Sequence, residues 1–301
     1  MRDIIQLFTQ AIEAAGINPP AGIFPDARLH RFSTNGKAND TAGWYVLFGG
    51  DVPAGVFGCW RSGFQSTWSS KDERDFTPLE FHLYREQVKN AQRQRDAEQI
   101  RIQQKTSKVA CDMLANSRSV KRHPYLVTKD VAHASVVADR DLLLVPIHDN
   151  DGVIHSLQTI DPTGKKRFLP GGKLSGHYFS IGVPDTHVIV CEGYATGLTI
   201  HMCTHMPVAV AFFAGNLAAV AQALRRKYPN VQIVVAADDD WTTPRNPGRT
   251  AAKIAALSVG GCVALPIFPG ERPEHATDFN DLYSIAGHAA VAACFADIRG
   301  H

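Results

Sequence analysis

Short apolar runs alternate with helical segments through the last third of the chain, and this pattern constrains the fold more than any other feature. Apolar strands are predicted at residues 187–191, 208–213, 232–237 and 262–267, with helices between them at 195–204, 217–228 and 247–259. Such alternation is typical of βαβ units, whose strands run parallel in one sheet with helices on its faces. The sequence therefore predicts an α/β fold for this region.

Carboxylates follow two of these predicted strands. Glu192 comes directly after the first strand, and Asp238, Asp239 and Asp240 follow the third. The carboxyl ends of parallel strands meet at one edge of a sheet, so Glu192, Asp238 and Asp240 are expected to lie close together. Asp239 is expected to point away, because side chains alternate between the two faces of an extended segment. Grouped carboxylates favour Mg²⁺ or Mn²⁺, although acids at strand ends also occur as simple turn formers.

Composition describes an ordinary globular protein of about two domains. The chain has 301 residues, of which 45% are hydrophobic and 20% are charged, and a domain typically takes about 150 residues. Its apolar runs are far shorter than the ~20 residues that a membrane helix needs, and its first residues carry no signal-peptide pattern. The sequence therefore predicts a cytoplasmic protein with no membrane partner.

Cysteine and histidine spacing gives no sign of a zinc site. The six cysteines form no CxxC pair, and the thirteen histidines are scattered, so neither a zinc site nor a disulfide framework is predicted. His201 and His205 lie four residues apart on a predicted helix but lack a nearby third ligand. Between residues 80 and 129 eleven basic residues outnumber five acidic ones. This surplus indicates either a face that attracts a polyanion or a solvated helix with mixed charges.

The order of the acidic motifs resembles the Toprim domain, the catalytic module shared by DnaG-type primases, topoisomerases and some nucleases. Glu192 and Gly193 supply the Glu-Gly motif after one strand, and residues 238–240 supply the Asp-x-Asp motif after another. Residues 278–282, with the sequence Asp-Phe-Asn-Asp-Leu, match a third acidic patch. Asn280 stands there in the place where DnaG-type primases carry a second aspartate.

The flanking segments narrow the resemblance to primases. Residues 192–197 and 214–217 are similar to the Toprim primases of phages and plasmids, which are often fused to a helicase. A basic segment precedes the predicted parallel sheet, as it does in DnaG-type primases. Many such primases also carry an N-terminal zinc ribbon, which the cysteine spacing excludes here. Template selection is therefore expected to occur differently or in another chain.

The resemblance implies an α/β Toprim fold, a Rossmann-like and mostly parallel sheet flanked by helices. A small mixed α+β N-terminal domain is expected at residues 1–76 as a candidate for template binding, followed by a basic helical linker at 77–130. A basic subdomain is expected at 131–184, and the Toprim catalytic domain at 185–301.

The implied activity is that of a DNA primase, a nucleotidyltransferase that makes short primers from NTPs on single-stranded DNA during phage or plasmid replication. Glu192, Asp238 and Asp240 are the expected catalytic residues, and these three with Asp278 are the expected ligands of Mg²⁺ or Mn²⁺. Glu192 is expected to act as a ligand or as the general base. The expected partner is a replicative helicase or a helicase domain of the same polyprotein. Two alternatives stay open: a Toprim-family nuclease, and a non-catalytic nucleic-acid-binding replication module.

Contacts with nucleic acid or nucleotide are expected from basic residues and from the backbone at Gly193, which lets N–H groups approach a phosphate. The basic residues are Arg61, Arg118, Lys121, Arg122, Arg140, Lys165, Lys166, Arg167 and Lys173. Aromatic residues of the N-terminal sheet predict either a base-stacking platform or the core of a small domain. They are Trp44, Tyr45, Phe57, Trp60 and Phe64. Residues 123–126, His-Pro-Tyr-Leu, are similar to a motif ahead of the same primase module, and no chemistry is assigned to them.

Overall fold

The computed structural model describes residues 2–37, 40–120, 122–131 and 137–296, and the chain divides into two compact units, Met1–Arg101 and Ile102–His301. The helices are α1 (Arg2–Ala14), α2 (Pro78–Ala115), α3 (Pro124–Thr128), α4 (Tyr194–Thr204), α5 (Leu217–Lys227), α6 (Pro247–Leu257) and α7 (Phe279–Ala293). The strands are β1 (Asp26–Phe32), β2 (Gly43–Phe48), β3 (Ala54–Cys59), β4 (Phe64–Ser69), β5 (Arg118–Ser119), β6 (Val137–Asp139), β7 (Leu142–His148), β8 (Ile154–Ile160), β9 (Lys166–Phe168), β10 (Phe179–Ile181), β11 (His187–Cys191), β12 (Val208–Val210), β13 (Gln232–Ala236) and β14 (Cys262–Ala264).

The first unit is built on an antiparallel sheet in the order β1-β2-β3-β4. Phe8 and Ile12 of α1 pack against one face of the sheet, and Ala91 of α2 packs against the other. Both central strands are therefore buried along their whole length. Helix α1 ends at Ala14, and Gly16 in the following turn has a φ of +75°, which suits glycine because it has no Cβ. These features confirm the small mixed α+β domain expected at the start of the chain.

The second unit contains an antiparallel sheet in the order β5-β6-β7-β8-β9. Ala110 of α2 packs on this sheet against Leu144 and Leu157. Within this unit the last part of α2 thus supplies apolar contacts for the sheet that precedes the parallel one. Of the basic residues predicted ahead of the parallel sheet, Lys166 and Arg167 lie on the edge strand β9, whereas Arg140 and Lys173 lie outside the strands.

The parallel sheet of the second unit has the strand order β10-β12-β11-β13-β14, in which β10 alone is antiparallel to its neighbour. Side chains of β11 alternate between two cores: Ile189 packs with α4 and α7, whereas Val188 and Val190 pack with α5 and α6. Helices therefore cover both faces, as the sequence pattern predicted. The predicted α/β fold with a mostly parallel sheet is confirmed. Strand β12 is shorter than predicted, and Phe212 just beyond it has a φ of +72°, which ends the extended run.

Helix α2 runs through the boundary of the two units, since it spans Pro78–Ala115. The finer division into a linker at 77–130, a basic subdomain at 131–184 and a catalytic domain at 185–301 stays a prediction. None of the described helices combines the length and the apolar character that a bilayer crossing requires.

Candidate active site

Glu192 and Asp238 lie at the carboxyl ends of neighbouring strands. Strands β11 and β13 pair in parallel, with Val190 opposite Val235, and each acidic residue follows closely on the end of its strand. Both carboxylates therefore lie at one edge of the sheet, as predicted from their positions after parallel strands. We call Glu192, Asp238, Asp240 and Asp278 the acidic cluster, because their charges act on one another as described next.

Mutual repulsion and burial define the electrostatics of the acidic cluster. Burial, followed by the charges of Glu192 and Asp278, raises the pKa of Asp238 well above its usual value. Burial and the charge of Asp240 raise the pKa of Glu192, while the ammonium of Lys166 opposes the rise. Both carboxyl groups resist ionisation, so a bound cation would offset the repulsion between their negative charges.

One buried oxygen of the acidic cluster lacks a partner. Oδ1 of Asp238 is inaccessible to solvent and accepts no hydrogen bond from the described residues. A buried acceptor without a donor is costly, and a bound cation would satisfy it. The four carboxylates are nevertheless spread apart. Within the described ranges, no three of them bring their oxygens within 4.8 Å of one another. The donor set, all oxygen, fits a hard divalent cation.

Asp239 is engaged elsewhere, as the alternation of side chains predicted. Its carboxylate accepts hydrogen bonds from Arg272 Nη1 and Asn246 Nδ2, both at 2.6 Å. Burial opposes ionisation of Asp239, but Arg272 and Asn246 outweigh it and hold its pKa below the usual value. The middle residue of the Asp-Asp-Asp run is therefore an ion-pair partner in the loop and not a member of the acidic cluster.

Gly248 supports the loop that carries the acids, and the sequence analysis missed it. Its N–H donates to Oδ2 of Asp240 at 2.9 Å. A Cβ at position 248 would lie 2.5 Å from the carbonyl oxygen of Asp238, so a side chain there would displace the loop. The Asn-Pro-Gly start of α6, with Asn246 as N-cap and Pro247 at the first position, is the sequence signal that could have identified this contact.

Asp278 has a structural role besides its charge. It is the N-cap of α7 and forms a capping box with Asp281, and its Oδ2 accepts a hydrogen bond of 2.8 Å from Oγ1 of Thr196 on α4. Both of its oxygens therefore already have donors. Asp278 is consequently less available as a metal ligand than Asp238.

Asn280 does not substitute for an acidic ligand. It is 1% exposed, and its Nδ2 donates to the carbonyl oxygen of Lys129 at 2.7 Å and to Oγ1 of Thr199 at 2.9 Å. A carboxylate cannot donate either bond. The departure from the primase motif at this position is therefore explained by packing of α7 against α4 and the end of α3.

Gly193 begins α4 beside the acidic cluster. It is the N-cap residue with an extended backbone, and a Cβ at this position would lie 2.9 Å from Oγ1 of Thr196. Since Thr196 holds Asp278, glycine at this position keeps that hydrogen bond undisturbed. The helix also directs the positive end of its dipole to this edge of the sheet, where an anion would be stabilised.

Lys166 is the predicted basic residue that the structure brings to the acidic cluster. Phe168, two residues further along β9, packs edge-on against Phe212 and Phe213 with centroids 6.0 and 6.1 Å apart. Side chains two apart on a strand share a face, so Lys166 points the same way and Arg167 the opposite way. The ammonium of Lys166 interacts with the charges of Asp278, Asp238 and Glu192.

Lys129 and Tyr125 also reach this region, although the sequence analysis gave neither a role. The ammonium of Lys166 lies 5.8 Å from the ring centroid of Tyr125. Crowding by protein atoms, followed by the charge of Lys129, lowers the pKa of Lys166 although its side chain keeps solvent contact. Burial and the charge of Asp278 raise the pKa of Tyr125 to about 12.

The His-Pro-Tyr-Leu motif positions Tyr125. His123 is the N-cap of α3, where its Nδ1 accepts from the N–H of Tyr125. Its Nε2 lies 3.0 Å from the carbonyl oxygen of Asp141, and because that oxygen can only accept, Nε2 carries the proton. His123 therefore fixes a short helix whose second residue lies beside Lys166 and Asp278.

The other predicted basic residues that the structure describes are exposed or make other contacts. Lys165, Arg167, Arg118 and Arg122 are exposed, and Arg140 occupies the β6–β7 turn with a φ of +53°. Lys173 interacts with His177, and Arg61 of the first unit forms an ion pair with Asp40. Lys121 lies outside the described residues. Nucleic-acid binding by these residues stays a prediction.

The hypothesis of an aromatic base-stacking platform is wrong for most of its residues. Trp44, Tyr45 and Phe57 are at most 2% exposed, because both faces of the N-terminal sheet are covered by helices. Trp60 stacks on Trp44 and lies under the guanidinium of Arg31, 4.4 Å from its ring centroid. These side chains form core, and only Phe64 of the five is an exposed ring.

Comparison with known proteins agrees with this arrangement. Residues 187–289 match the sequence profile of the Toprim domain. Two proteins from Escherichia coli, each named DNA primase TraC, are 32% identical to this chain over 283 and 285 residues, which is 88% of the chain in both cases. The chain spans only 27% and 20% of the length of these relatives.

Comparison with solved structures matched two primase domains to part of this chain. The primase fragment of the bacteriophage T7 primase-helicase protein covers 60% of this chain and 76% of its own, with 16% identity and a TM-score of 0.43. The DnaG primase catalytic domain bound to single-stranded DNA covers 67% of this chain and 80% of its own, with 13% identity and a TM-score of 0.44.

Proposed function

We propose that this chain, whose residues 187–289 form a Toprim domain, is the catalytic part of a DNA primase that makes short primers on single-stranded DNA. The proposal is supported by the two relatives named as DNA primases, which align with 88% of the chain. Its NTP substrates, its action in the cytoplasm in phage or plasmid replication, and a helicase partner belong to the same proposal.

The buried, unpartnered Oδ1 of Asp238 is the observation that carries the proposal. Asp238, Asp240 and Glu192 would hold Mg²⁺ or Mn²⁺, and Asp278 would assist through its charge. A bound divalent cation supplies neutralisation of the phosphate charge that develops during nucleotidyl transfer.

Glu192 is a suitable proton acceptor for the attacking 3′ hydroxyl when it is not a metal ligand. Burial and Asp240 raise its pKa, and a base whose pKa lies nearer to neutral pH takes up a proton more readily. Lys166 and the first-turn N–H groups of α4 would bind phosphate oxygens beside the carboxylates.

The test is a single incubation with single-stranded DNA, labelled NTPs and Mg²⁺ or Mn²⁺, in which extension and cleavage products are resolved together. Short new RNA is expected from the wild-type protein. The Asp238→Asn variant is expected to lose at least about a hundredfold of this activity, whereas Asp151→Asn, which removes an exposed carboxylate of the β7–β8 turn, should keep it.

Other outcomes of this incubation would refute primase activity or support one of the two alternative functions. Wild-type priming by an Asp238→Asn/Asp240→Asn double variant would refute it. Shortened DNA without new RNA would establish the nuclease alternative, and binding without either product would establish the non-catalytic module.

The salt dependence of DNA binding tests the role of Lys166. Each phosphate contact with a single strand contributes a slope of about 0.7 to the plot of log affinity against log salt. The Lys166→Ala variant is therefore expected to flatten this slope by about 0.7. The Arg167→Ala variant, changed on the opposite face of the same strand, shows whether the whole hairpin binds. An unchanged slope in both variants would exclude β9 from the interface.

A further inference from the structure

Three side chains of metal-binding type meet outside the acidic cluster. Asp149, His155 and His177 each bring one ligand atom within 4.8 Å of the other two. Nε2 of His155 lies 2.8 Å from Oδ2 of Asp149, and the centroids of the two imidazole rings are 4.3 Å apart. We call these three residues the His-Asp cluster. Residues 149 and 177 are far apart in sequence, so a search for short ligand spacings does not detect them.

The backbone of the β7–β8 turn holds the carboxylate of Asp149 in place. Its Oδ1 accepts hydrogen bonds from the N–H groups of Asp151 and Val153 at 2.9 and 3.0 Å. The second oxygen, Oδ2, is thereby directed at His155. This division of roles orients one carboxylate oxygen before any ion binds.

A backbone hydrogen bond orients the buried ring of His177. It is 6% exposed, and its Nδ1 lies 2.7 Å from the carbonyl oxygen of Ser175. Since a carbonyl can only accept, Nδ1 carries the proton and Nε2 carries the lone pair. Nε2 has no hydrogen-bond partner among the described residues. Donation of the second ring N–H to a backbone carbonyl is the usual orientation of a metal-bound histidine.

The segment that carries His177 is fixed to the parallel sheet. Asn216, which is 2% exposed, accepts from the N–H of Gly176 at 2.8 Å and donates to the carbonyl oxygens of His177 and Ala211 at 3.0 and 2.9 Å. In addition, His148 and Tyr178 exchange two backbone hydrogen bonds of 3.0 Å. The backbone around His177 is therefore held by hydrogen bonds to Asn216 and to β7.

We propose that the His-Asp cluster binds a zinc ion. Two imidazole nitrogens and one carboxylate oxygen are ligands that suit Zn²⁺ and disfavour Mg²⁺, which prefers oxygen alone. Coordination through Nε2 of His155 replaces its hydrogen bond to Asp149, and the neutral ring then carries its proton on Nδ1. A water molecule completes a tetrahedral shell. The positive charge of Lys173 near His177 weakens the site but leaves its donors intact.

The zinc ion would act as a structural link within the second unit. Asp149 and His155 belong to the β7–β8 hairpin of the antiparallel sheet, and His177 belongs to the segment that leads into β10 of the parallel sheet. An ion bound to all three residues therefore ties the two sheets at this point. Because a ligand that binds only the folded state stabilises it, zinc is expected to raise the thermal unfolding temperature.

Metal titration of the full chain tests the proposal. Metal-free protein is titrated with Zn²⁺ against a chromophoric chelator, with Co²⁺ as a spectroscopic probe, and thermal unfolding is followed with and without Zn²⁺. Wild-type protein and the variants His155→Gln, Asp149→Asn and His30→Gln are compared. His30 is the matched control, because it forms a similar contact of 2.9 Å with Asp26 but belongs to no three-residue cluster among the described residues.

The proposal predicts one Zn²⁺ equivalent in wild-type protein and in His30→Gln, together with a higher unfolding temperature and a tetrahedral Co²⁺ spectrum. His155→Gln is expected to weaken this binding at least about tenfold. Asp149→Asn keeps an amide oxygen for the turn hydrogen bonds, so it should fold and yet lose the site. Equal stoichiometry and equal thermal shifts in the wild-type protein and both cluster variants would refute the proposal.

Discussion

Replacement of Asp238 by asparagine is expected to stabilise the metal-free protein while it removes the proposed activity. In the native state Oδ1 of Asp238 is buried without a hydrogen bond, and the charge of Glu192 opposes its ionisation. A buried polar group without a partner costs about 1–3 kcal/mol, and a charged group costs more. The Asp238→Asn change leaves the size of the side chain almost unchanged and keeps a polar amide at the buried position, so the expected gain comes from loss of the charge.

The expected gain can be converted into a thermal shift. One kcal/mol moves the unfolding temperature by about 2–4 °C in a domain of 150–250 residues, a range that includes the second unit. Loss of the buried charge, at about 1–3 kcal/mol, should therefore raise the midpoint of Asp238→Asn by roughly 2–12 °C in chelator. Differential scanning calorimetry in EDTA at neutral pH measures this shift directly.

The stability advantage of Asp238→Asn over the wild-type protein should grow as pH rises. The pKa of Asp238 is raised in the folded protein, so the folded state binds this proton more tightly than the unfolded chain does. Ionisation then destabilises the fold, and the wild-type protein loses stability as pH rises from the usual value of 3.8 through the raised pKa. The advantage of Asp238→Asn is thus smallest below pH 3.8 and grows at higher pH.

Mg²⁺ should reverse the order of the unfolding temperatures of the wild-type protein and Asp238→Asn. A ligand at a hundred times its dissociation constant stabilises the folded state by about 2.7 kcal/mol, and this gain requires the ligands of the acidic cluster. Wild-type protein is expected to gain from Mg²⁺, and Asp238→Asn much less. Asp239→Asn is the matched control, which should lower the unfolding temperature because it breaks the ion pair with Arg272. A lower midpoint for Asp238→Asn in EDTA, or an equal Mg²⁺ shift in both proteins, would refute the argument.

Two further substitutions test the packing around the acidic cluster. Gly248→Ala is expected to lower both the unfolding temperature and Mg²⁺ affinity, since its Cβ would lie 2.5 Å from the carbonyl oxygen of Asp238; an unchanged calorimetric midpoint and an unchanged Mg²⁺ isotherm would contradict this. Asn280→Asp is expected to lose about 1–3 kcal/mol at neutral pH because it leaves buried acceptors without their donor. Protonation restores one donor, so denaturant titrations should show this deficit shrinking as pH falls, and a deficit that is independent of pH would count against the assigned hydrogen bonds.

The sequence alone predicted the parallel sheet and the covering helices that carry the candidate site. Apolar runs separated by helical segments require parallel strands with helices on both faces, because each apolar side of a strand must be covered. Since parallel strands end at a common edge, Glu192 and Asp238 could be brought together from their positions after β11 and β13. The engagement of Asp239 away from the cluster followed from the two-residue period of an extended chain.

Only the tertiary structure decided which distant side chains complete the site. Lys166 reaches the acids because Phe168 docks on the loop after β12, and nothing in the local pattern distinguished it from Arg167. Asn280 serves packing because α7 crosses α4. The His-Asp cluster joins a hairpin turn to a segment that is distant in sequence. Local periodicity is set by neighbours along the chain, whereas these contacts depend on how separate elements pack, and no short stretch of sequence encodes that packing.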